Sequence, residues 1–443
     1  MPTGDPIPMP TGDPIPMPTG DPIPMLPRTF ASLALILSAA CGDPGAGPPP
    51  ATGVVITDSA DIEIVDISAE VLDTLPVWTF SAEPMLTIGK TTGEDPYLFA
   101  RVLGAFRLAS GEVVVVEGVG FEFRVFGPDG VHRTSRGGKG EGPGEFGGVV
   151  GLRKRLLGGI AAGDDRLRRV TFFDDEISVE ATRSSSCRVD GWYFNGVAIC
   201  YFGGFTGEDA AFWYATRRPP GPQMRTGIVQ RTPAGIRYLG LESGDSIVVV
   251  DSIPGGGWAR IMQSFDGTPY LWSVPEIFAP EGHWAFGPRL VALGESSRYE
   301  IRLRGSSGEL RRVLRVSREP EFVTSAQLDS IRSLMGTPAS ISPKDLALQY
   351  LDDVQAGGQI PFFSELRFDD AGRLWVADYV PPRVLLLPDT IWWTVFDRDA
   401  LPLARVATGR SDNILELGED HVLLRETDEM DVQRVAMYRI ERE

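Results

Sequence analysis

From Val54 onward the chain is a succession of short apolar runs that either alternate with polar residues or form blocks of four or five, separated by turn residues. Glu112-Val-Val-Val-Val-Glu117 is a block and Phe121-Glu-Phe-Arg-Val-Phe126 alternates at period two, so both read as strands. Gly127-Pro-Asp-Gly130 supplies the turn that follows. The same order of strand, Asp-containing turn, strand and turn returns at Gly159 to Asp165 with Arg168 to Asp174. It recurs at Arg289 to Gly294 with Tyr299 to Arg304, at Asp369 to Tyr379 with Trp392 to Asp397, and at His421 to Arg425 with Asp431 to Ile440.

Imperfect repeats of roughly 40–50 residues, each worth up to four strands, are what a β-propeller leaves in a sequence. The expectation is therefore an all-β chain, a six-bladed β-propeller over residues 54–443, with seven blades as the alternative because the middle third is hard to parse. Val54-Val-Ile-Thr57 and Ile62-Glu-Ile-Val65 are expected to complete the last blade beside the C-terminal strands, which would hide the open edges. One segment breaks the pattern, and a short helical insertion is predicted at about 320–357. Thr324-Ser-Ala-Gln327 is a capping box before Leu328, Ile331 and Leu334, and Ser342-Pro-Lys-Asp345 opens a second helix.

The N-terminal segment has a different grammar. Residues 1–24 are three copies of Met-Pro-Thr-Gly-Asp-Pro-Ile-Pro with no core-forming pattern, and translation is expected to start at Met25. Residues 25–40 then read as a signal peptide: Arg28, an apolar run from Phe30, and Ser38-Ala39-Ala40 directly before Cys41. The run is shorter than the roughly 20 residues of a spanning helix. A cysteine in this place resembles a bacterial lipobox, although Ser38 stands where Leu is usual, with Leu37 one place further back. Lipidation of Cys41 is the expectation, with residues 41–53 as a tether and the membrane a partner through the lipid. Outer-membrane sorting, on the periplasmic or surface face, is the expected location.

Composition narrows the partners. With 42 Lys and Arg against 60 Asp and Glu the net charge is −18, and close to −16 remains once residues 1–40 are set aside. Such a chain is not built for nucleic acid. The hydrophobic share of 42% is that of a globular domain. Cys187 and Cys200 flank a strand-like stretch, and outside the cytoplasm they are a candidate disulfide, with two buried unpaired thiols as the alternative.

Gly137-Gly-Lys-Gly-Glu-Gly-Pro-Gly-Glu-Phe146 is the most specific internal motif. With Gly372 to Tyr379, Trp393 to Asp397 and Asp428 to Tyr438, it resembles the NHL-like six-bladed β-propeller family, in which Gly-rich turns ending in Gly-Glu-Phe or Gly-Gln-Phe join the blades. The resemblance spans roughly residues 85–440, and it is weak between Ser184 and Pro288. It looks close to bacterial propeller lipoproteins whose activity is generally unassigned, and it implies fold and envelope location without chemistry. Neither this loop nor Gly89-Lys90-Thr91 has the register of a phosphate cradle.

A catalytic set is not legible. His132, His283 and His421 are isolated, and no Gly-x-Ser-x-Gly elbow or His-Glu-x-x-His occurs. Asp428, Glu429 and Asp431 read as solvated turn charges. Trp375, Tyr379, Trp392 and Trp393 read as packing between blades, with a ligand-stacking role as the alternative. The leading expectation is thus a lipid-anchored, non-enzymatic propeller that presents a binding face to a protein, peptide or glycan, with no cofactor. The rival is a hydrolase or lactonase-type enzyme holding Ca²⁺ in a central channel, for which Asp164, Asp165, Asp369, Asp370 and Asp378 would be the ligands to draw on.

Overall fold

The computed structural model describes residues 53–442. The exceptions are 156–157, 165, 185–197, 207–209, 218–226, 230–233, 241–247, 255–257, 266–267, 336–350, 352–353, 355, 382–389 and 410–412. Cys41, Asp165, Cys187 and the Ser342 helix start lie outside the described residues, as does the side chain of Cys200.

The described part is all-β. It opens with β1 (Val54–Ser59), β2 (Ile62–Ser68), the one-turn α1 (Ala69–Asp73), β3 (Val77–Phe80) and β4 (Leu86–Ile88). Four-stranded antiparallel meanders then follow in sequence order. The first is β5 (Val102–Arg107), β6 (Val113–Glu117), β7 (Glu122–Phe126) and β8 (His132–Gly137). The second is β9 (Val149–Lys154), β10 (Ile160–Asp164), β11 (Arg169–Phe173) and β12 (Val179–Ser184).

The next stretch holds β13 (Ala198–Thr206), β14 (Ala210–Arg217), β15 (Gly227–Val229), β16 (Ala234–Gly240), β17 (Val248–Ile253), β18 (Trp258–Phe265) and β19 (Thr268–Pro275). Of these, β13-β14-β16-β17 form the third meander and β15-β18-β19 a separate three-stranded sheet. The fourth meander is β20 (Gly282–Phe286), β21 (Leu290–Glu295), β22 (Glu300–Gly305) and β23 (Leu310–Ser317). After α2 (Ser325–Met335) comes the fifth: β24 (Phe363–Phe368), β25 (Leu374–Asp378), β26 (Thr390–Phe396) and β27 (Pro402–Gly409). The last has β28 (Asn413–Leu417), β29 (His421–Thr427) and β30 (Gln433–Glu441).

The second strand of each meander explains the apolar blocks. Every residue of β6 and β10 is buried, because each sheet is covered on both faces by its neighbours. Val114 and Val116 pack with Phe123 of their own meander and with Phe146, Leu152, Ile160 and Phe173 toward the second. Val113 and Val115, one residue out of phase, pack with Ile88, Leu423, Val435 and Met437. The fifth meander repeats the arrangement: Leu374 and Val376 join Leu303, Leu314 and Phe363, while Trp375 and Ala377 join Trp393, Ile414, Val422 and Ile440. First strands also touch: β9 lies against β13, β13 against β20, β20 against β24, and β28 against β5.

The predicted partner of the first two strands is corrected. The β1–β2 hairpin does not join the C-terminal strands. Instead β2 pairs in parallel with β23, Glu63 opposite Arg312 through Ser68 opposite Ser317. Its alternating Val65 and Ile67 drop into the cluster of Leu314 and Val316, and Arg312 Nε meets Glu63 at 2.8 Å. The later strands do the joining. β4 pairs with β30, Leu86 opposite Met437 and Ile88 opposite Val435, and β3 bridges β27 and β30.

The capping box forms as the sequence predicts. Gln327 N donates to Thr324 Oγ1 at 3.2 Å and Thr324 N donates to Gln327 Oε1 at 2.8 Å, and Leu328 and Ile331 of α2 are buried. No helix among the described residues is long and apolar enough to cross a membrane.

Candidate functional site

The first strands of the meanders face a common cavity of about 680 Å³, bounded among the described residues by β5, β9, β20, β24 and β28. Its position follows from strand periodicity. Along β9, Leu152 turns into the packing between sheets, and along β24 Leu366 does so. Their alternate neighbours Arg153, Glu365 and Arg367 are left to line the cavity, with Trp284 and Phe286 of β20.

At one end, the C-terminal ends of several first strands bring charges together. Lys154 Nζ lies 2.7 Å from Asp370 Oδ2 and 3.2 Å from Glu416 Oε1. The other Glu416 oxygen accepts from Arg107 N at 2.8 Å and lies 3.3 Å from His421 Nε2, while His421 Nδ1 lies 3.0 Å from Asp420 Oδ1. Burial works against the Lys154 charge, but Glu416 and Asp370 outweigh it and raise its pKa. Asp370 is raised by burial and by its like-charged neighbour Glu416, with Lys154 opposing. His421 is raised too: burial opposes its charge, and the bond and charge of Glu416, helped by Asp420, prevail.

Deeper in the wall, Arg367 Nε donates to Glu365 at 2.6 Å and its Nη1 donates to the Ile414 carbonyl at 2.6 Å. Arg153 Nη1 donates to the Leu152 carbonyl at 2.7 Å. Arg153 is exposed, and its surface faces the cavity. Desolvation, followed by the charge of Arg367, lowers its pKa to about 10.

Of the aspartates named for a metal, the four that are described, Asp164, Asp369, Asp370 and Asp378, do not converge. Asp164 is fully buried at the end of β10. Its Oδ2 accepts from the amides of Gly147 and Gly148 at 2.7 and 3.2 Å, and its Oδ1 from those of Arg166 and Leu167 at 3.0 and 2.9 Å. Asp369 accepts from Arg373 Nε at 2.5 Å, Arg373 N at 2.8 Å and Trp375 Nε1 at 3.0 Å. Burial raises its pKa against the pull of Arg373. Asp378 takes Arg405 Nη2 at 2.6 Å, and Asp370 belongs to the Lys154 pair. Among the described residues no three His, Cys, Asp or Glu side chains are grouped as a metal ion would need.

Other singled-out residues have structural roles. His132 Nε2 lies 3.0 Å from Ser135 Oγ. His283 packs on Phe363 with ring centroids 5.4 Å apart, and burial pushes its pKa down to about 4. Asp428 accepts from the amides of Met430 and Val432 and from Arg434 Nη2. Trp375 and Trp393 are fully buried, 6.5 Å apart. Tyr379 Oη accepts from Phe278 N at 2.8 Å, and exposed Trp392 carries Arg405 over its ring.

The Gly-rich loop is a turn clamped by one side chain: Arg169 donates to the carbonyls of Glu141, Gly142 and Glu145. Gly137 and Gly144, at φ of 87° and 77°, place Phe146 in the core. Lys90 sits over the Tyr97 ring at 4.4 Å.

No family model matches this chain, and no curated protein is similar to it. Among solved structures it is similar to a Bacteroides fragilis protein provisionally described as exported, at 13% identity and a TM-score of 0.41, covering 86% of this chain and 100% of that one. It is also similar to a DUF4221 family member from Bacteroides vulgatus, at 11% identity and a TM-score of 0.39, covering 82% and 98%. A third is the calcium-binding protein regucalcin from Agrobacterium tumefaciens, at 10% identity and a TM-score of 0.32, covering 83% and 97%.

Proposed function

We propose that the chain is an exported six-bladed β-propeller, lipid-anchored through Cys41 at the outer membrane, whose central cavity binds a ligand without transforming it. First strands lie in contact from β9 through β13 and β20 to β24, β28 lies against β5, and β4 completes the last sheet from the N-terminal side. That is the construction of a closed ring of blades. The lipid anchor rests on the Arg28, Phe30 to Ala40 and Cys41 order. The ligand would be a protein segment, a peptide or a glycan of the envelope.

One observation carries the binding reading. Among the described residues, the carboxylates that reach the cavity are each engaged with a cation of the chain, while the rest of the wall is apolar, aromatic and guanidinium. A pocket of this size with a few convergent polar groups is the usual form of a binding site. The rival metal-dependent hydrolase needs several free carboxylates around one point, and Asp164, Asp369 and Asp378 are each occupied elsewhere.

Elemental analysis of dialysed protein, with melting curves in EDTA and in Ca²⁺, is the test. The expected outcome is no stoichiometric metal and the same transition in both. One Ca²⁺ per chain surviving dialysis, or a transition that collapses in EDTA, would overturn the reading. Intact mass of envelope-purified protein checks the anchor: it should begin at Cys41 and carry acyl chains.

A further inference from the structure

We infer that the free edge of β1 pairs with β1 of a second copy of this chain, antiparallel and about a two-fold axis at Ile56. The surface is separate from the cavity, and the inference goes beyond the binding reading.

The β1–β2 hairpin stands outside the four-stranded plan of the meanders. It extends the fourth meander to six strands, and β1 is the outermost, with β2 as its one partner among the described residues. The strand does little for the core: Val54 is half-buried, while Val55 and Ile56 are 57% and 47% exposed. Yet Val54-Val-Ile-Thr57 is β-branched throughout, and β1 carries no Pro, Lys or Arg to blunt its edge. The turn that sets β1 in place is strained. Ala60 and Asp61 both take left-handed backbone, at φ of 54° and 66°, in a two-residue hairpin that glycine would enter freely. A strand that buries so little, held by such a turn, makes sense as a surface kept for a partner.

The ladder fixes which backbone groups are free. Ser68 N donates to Gly53 O at 2.9 Å, and bonded pairs alternate along an antiparallel ladder. Val55, Thr57 and Ser59 therefore exchange bonds with Asp66, Ile64 and Ile62. The N–H and C=O groups of Val54, Ile56 and Asp58 point away from β2, and no hydrogen bond reaches them from the described residues.

These three residues match a copy of themselves. With Ile56 opposite Ile56 of the second copy, Val54 falls opposite Asp58 and Asp58 opposite Val54, and every outward N–H and C=O on both strands finds a partner. Val55 falls opposite Thr57, so β-branched residues meet on both faces. The two Asp58 carboxylates come to opposite ends, and no like charges face each other. Ile56 shares a face with Val65, its neighbour on β2, so the copy's Ile56 would extend the apolar row of Val54, Val65 and Ile67. Val55 and Ile56 point to opposite faces, which suits pairing at an edge and not insertion of one apolar face into lipid. Gly53 follows Cys41 by 12 residues, a reach of about 40 Å. Two copies anchored in one membrane would thus hold their β1 strands close to each other; this point alone rests on the proposed anchor.

The test is sedimentation of the purified full chain in one detergent, from micromolar to hundreds of micromolar. The parent should pass reversibly from monomer to dimer. Ile56→Lys sets two ammonium groups against each other, and Ile56→Pro removes an outward N–H that the fold does not use. Each should weaken the dimer at least tenfold and melt like the parent, and Ile56→Lys carries the test if Pro disturbs the hairpin. Met430→Lys, at a more exposed apolar residue, should leave the dimer unchanged. Under mild oxidation Ile56→Cys should give a covalent dimer, since bonded partners sit about 5.5 Å apart at Cα. Val55→Cys should give much less, because its copy lies on the diagonal.

A parent chain that stays monomeric throughout overturns the inference and leaves the edge to a foreign strand. A dimer that both Ile56→Lys and Ile56→Pro keep also overturns it, because that dimer uses another surface. So does one that Val55→Cys links as readily as Ile56→Cys, because its register is not centred on Ile56.

Discussion

Asp164 offers a direct way to decide between a structural clamp and a metal ligand. Its two oxygens divide four backbone donors evenly: Gly147 and Gly148 on one, Arg166 and Leu167 on the other. In Asp164→Asn one oxygen becomes an amide NH₂, so whichever way the side chain turns, two N–H donors face another donor. An unmade bond at a buried group costs about 1–3 kcal/mol, and bonds to a charged acceptor lie at the upper end. Water reaches the exposed Arg166, which lowers its share, so a loss of about 2–4 kcal/mol is expected for Asn and about 3–5 kcal/mol for Ala. Urea titration followed by circular dichroism, with and without Ca²⁺, measures it. An Asn variant within about 0.5 kcal/mol of the parent, the scatter of ordinary surface changes, would refute the clamp. So would a parent protein that Ca²⁺ stabilises and a variant that it does not.

Two further outcomes follow from the packing and charges. Removing Asp431–Glu443 deletes β30 and with it buried Val435, Met437 and Ile440; at about 1.5–3 kcal/mol per large buried side chain, this approaches the whole stability of a domain. The truncated chain should therefore lack a cooperative melt, and a melt like that of the full chain would count against ring closure. The second concerns pH. The folded pKa of His421 is raised, with burial opposing and Glu416 and Asp420 prevailing, while Arg107 opposes and Asp370 and Lys154 lie nearby. Its contribution is fully present below the unfolded value near 6.5 and is lost as pH rises through the raised folded value. The melting temperature should fall over that window in the parent and stay flatter in His421→Gln; equal slopes would remove His421 from the account.

Much of the architecture was legible because blocks and alternations are local. Glu112 to Glu117 announces a strand covered on both faces, and Thr324 to Gln327 announces a helix start. Pairing partners were not legible to the same degree. Nothing in Ile62-Glu-Ile-Val65 distinguishes an edge beside β23 from one beside β30, since both would bury the same alternating face. The strand that does pair with β30, Leu86-Thr-Ile88, is three residues long and too short to show a period. The cavity arginines were missed for a related reason. Arg153 and Arg367 occupy the polar phase of amphipathic strands, and in sequence such positions look like any solvent-facing residue. Only the placement of the first strands turns that phase inward, toward a shared space instead of bulk water.

The same placement changes what the acidic composition means. Glu117, at the end of β6, does what Asp164 does at the end of β10: its oxygens accept from the amides of Arg101, Val119 and Gly120. Asp378, at the end of β25, turns instead to Arg405. Carboxylates at the ends of second strands are thus committed to turns and to neighbouring strands, where acceptors are needed for donors that the ladder leaves over. They contribute to the negative total without being available to a ligand or an ion. Along the cavity, among the described residues, cations and carboxylates balance: Arg153, Lys154, Arg155 and Arg367 against Glu365, Asp369, Asp370 and Glu416.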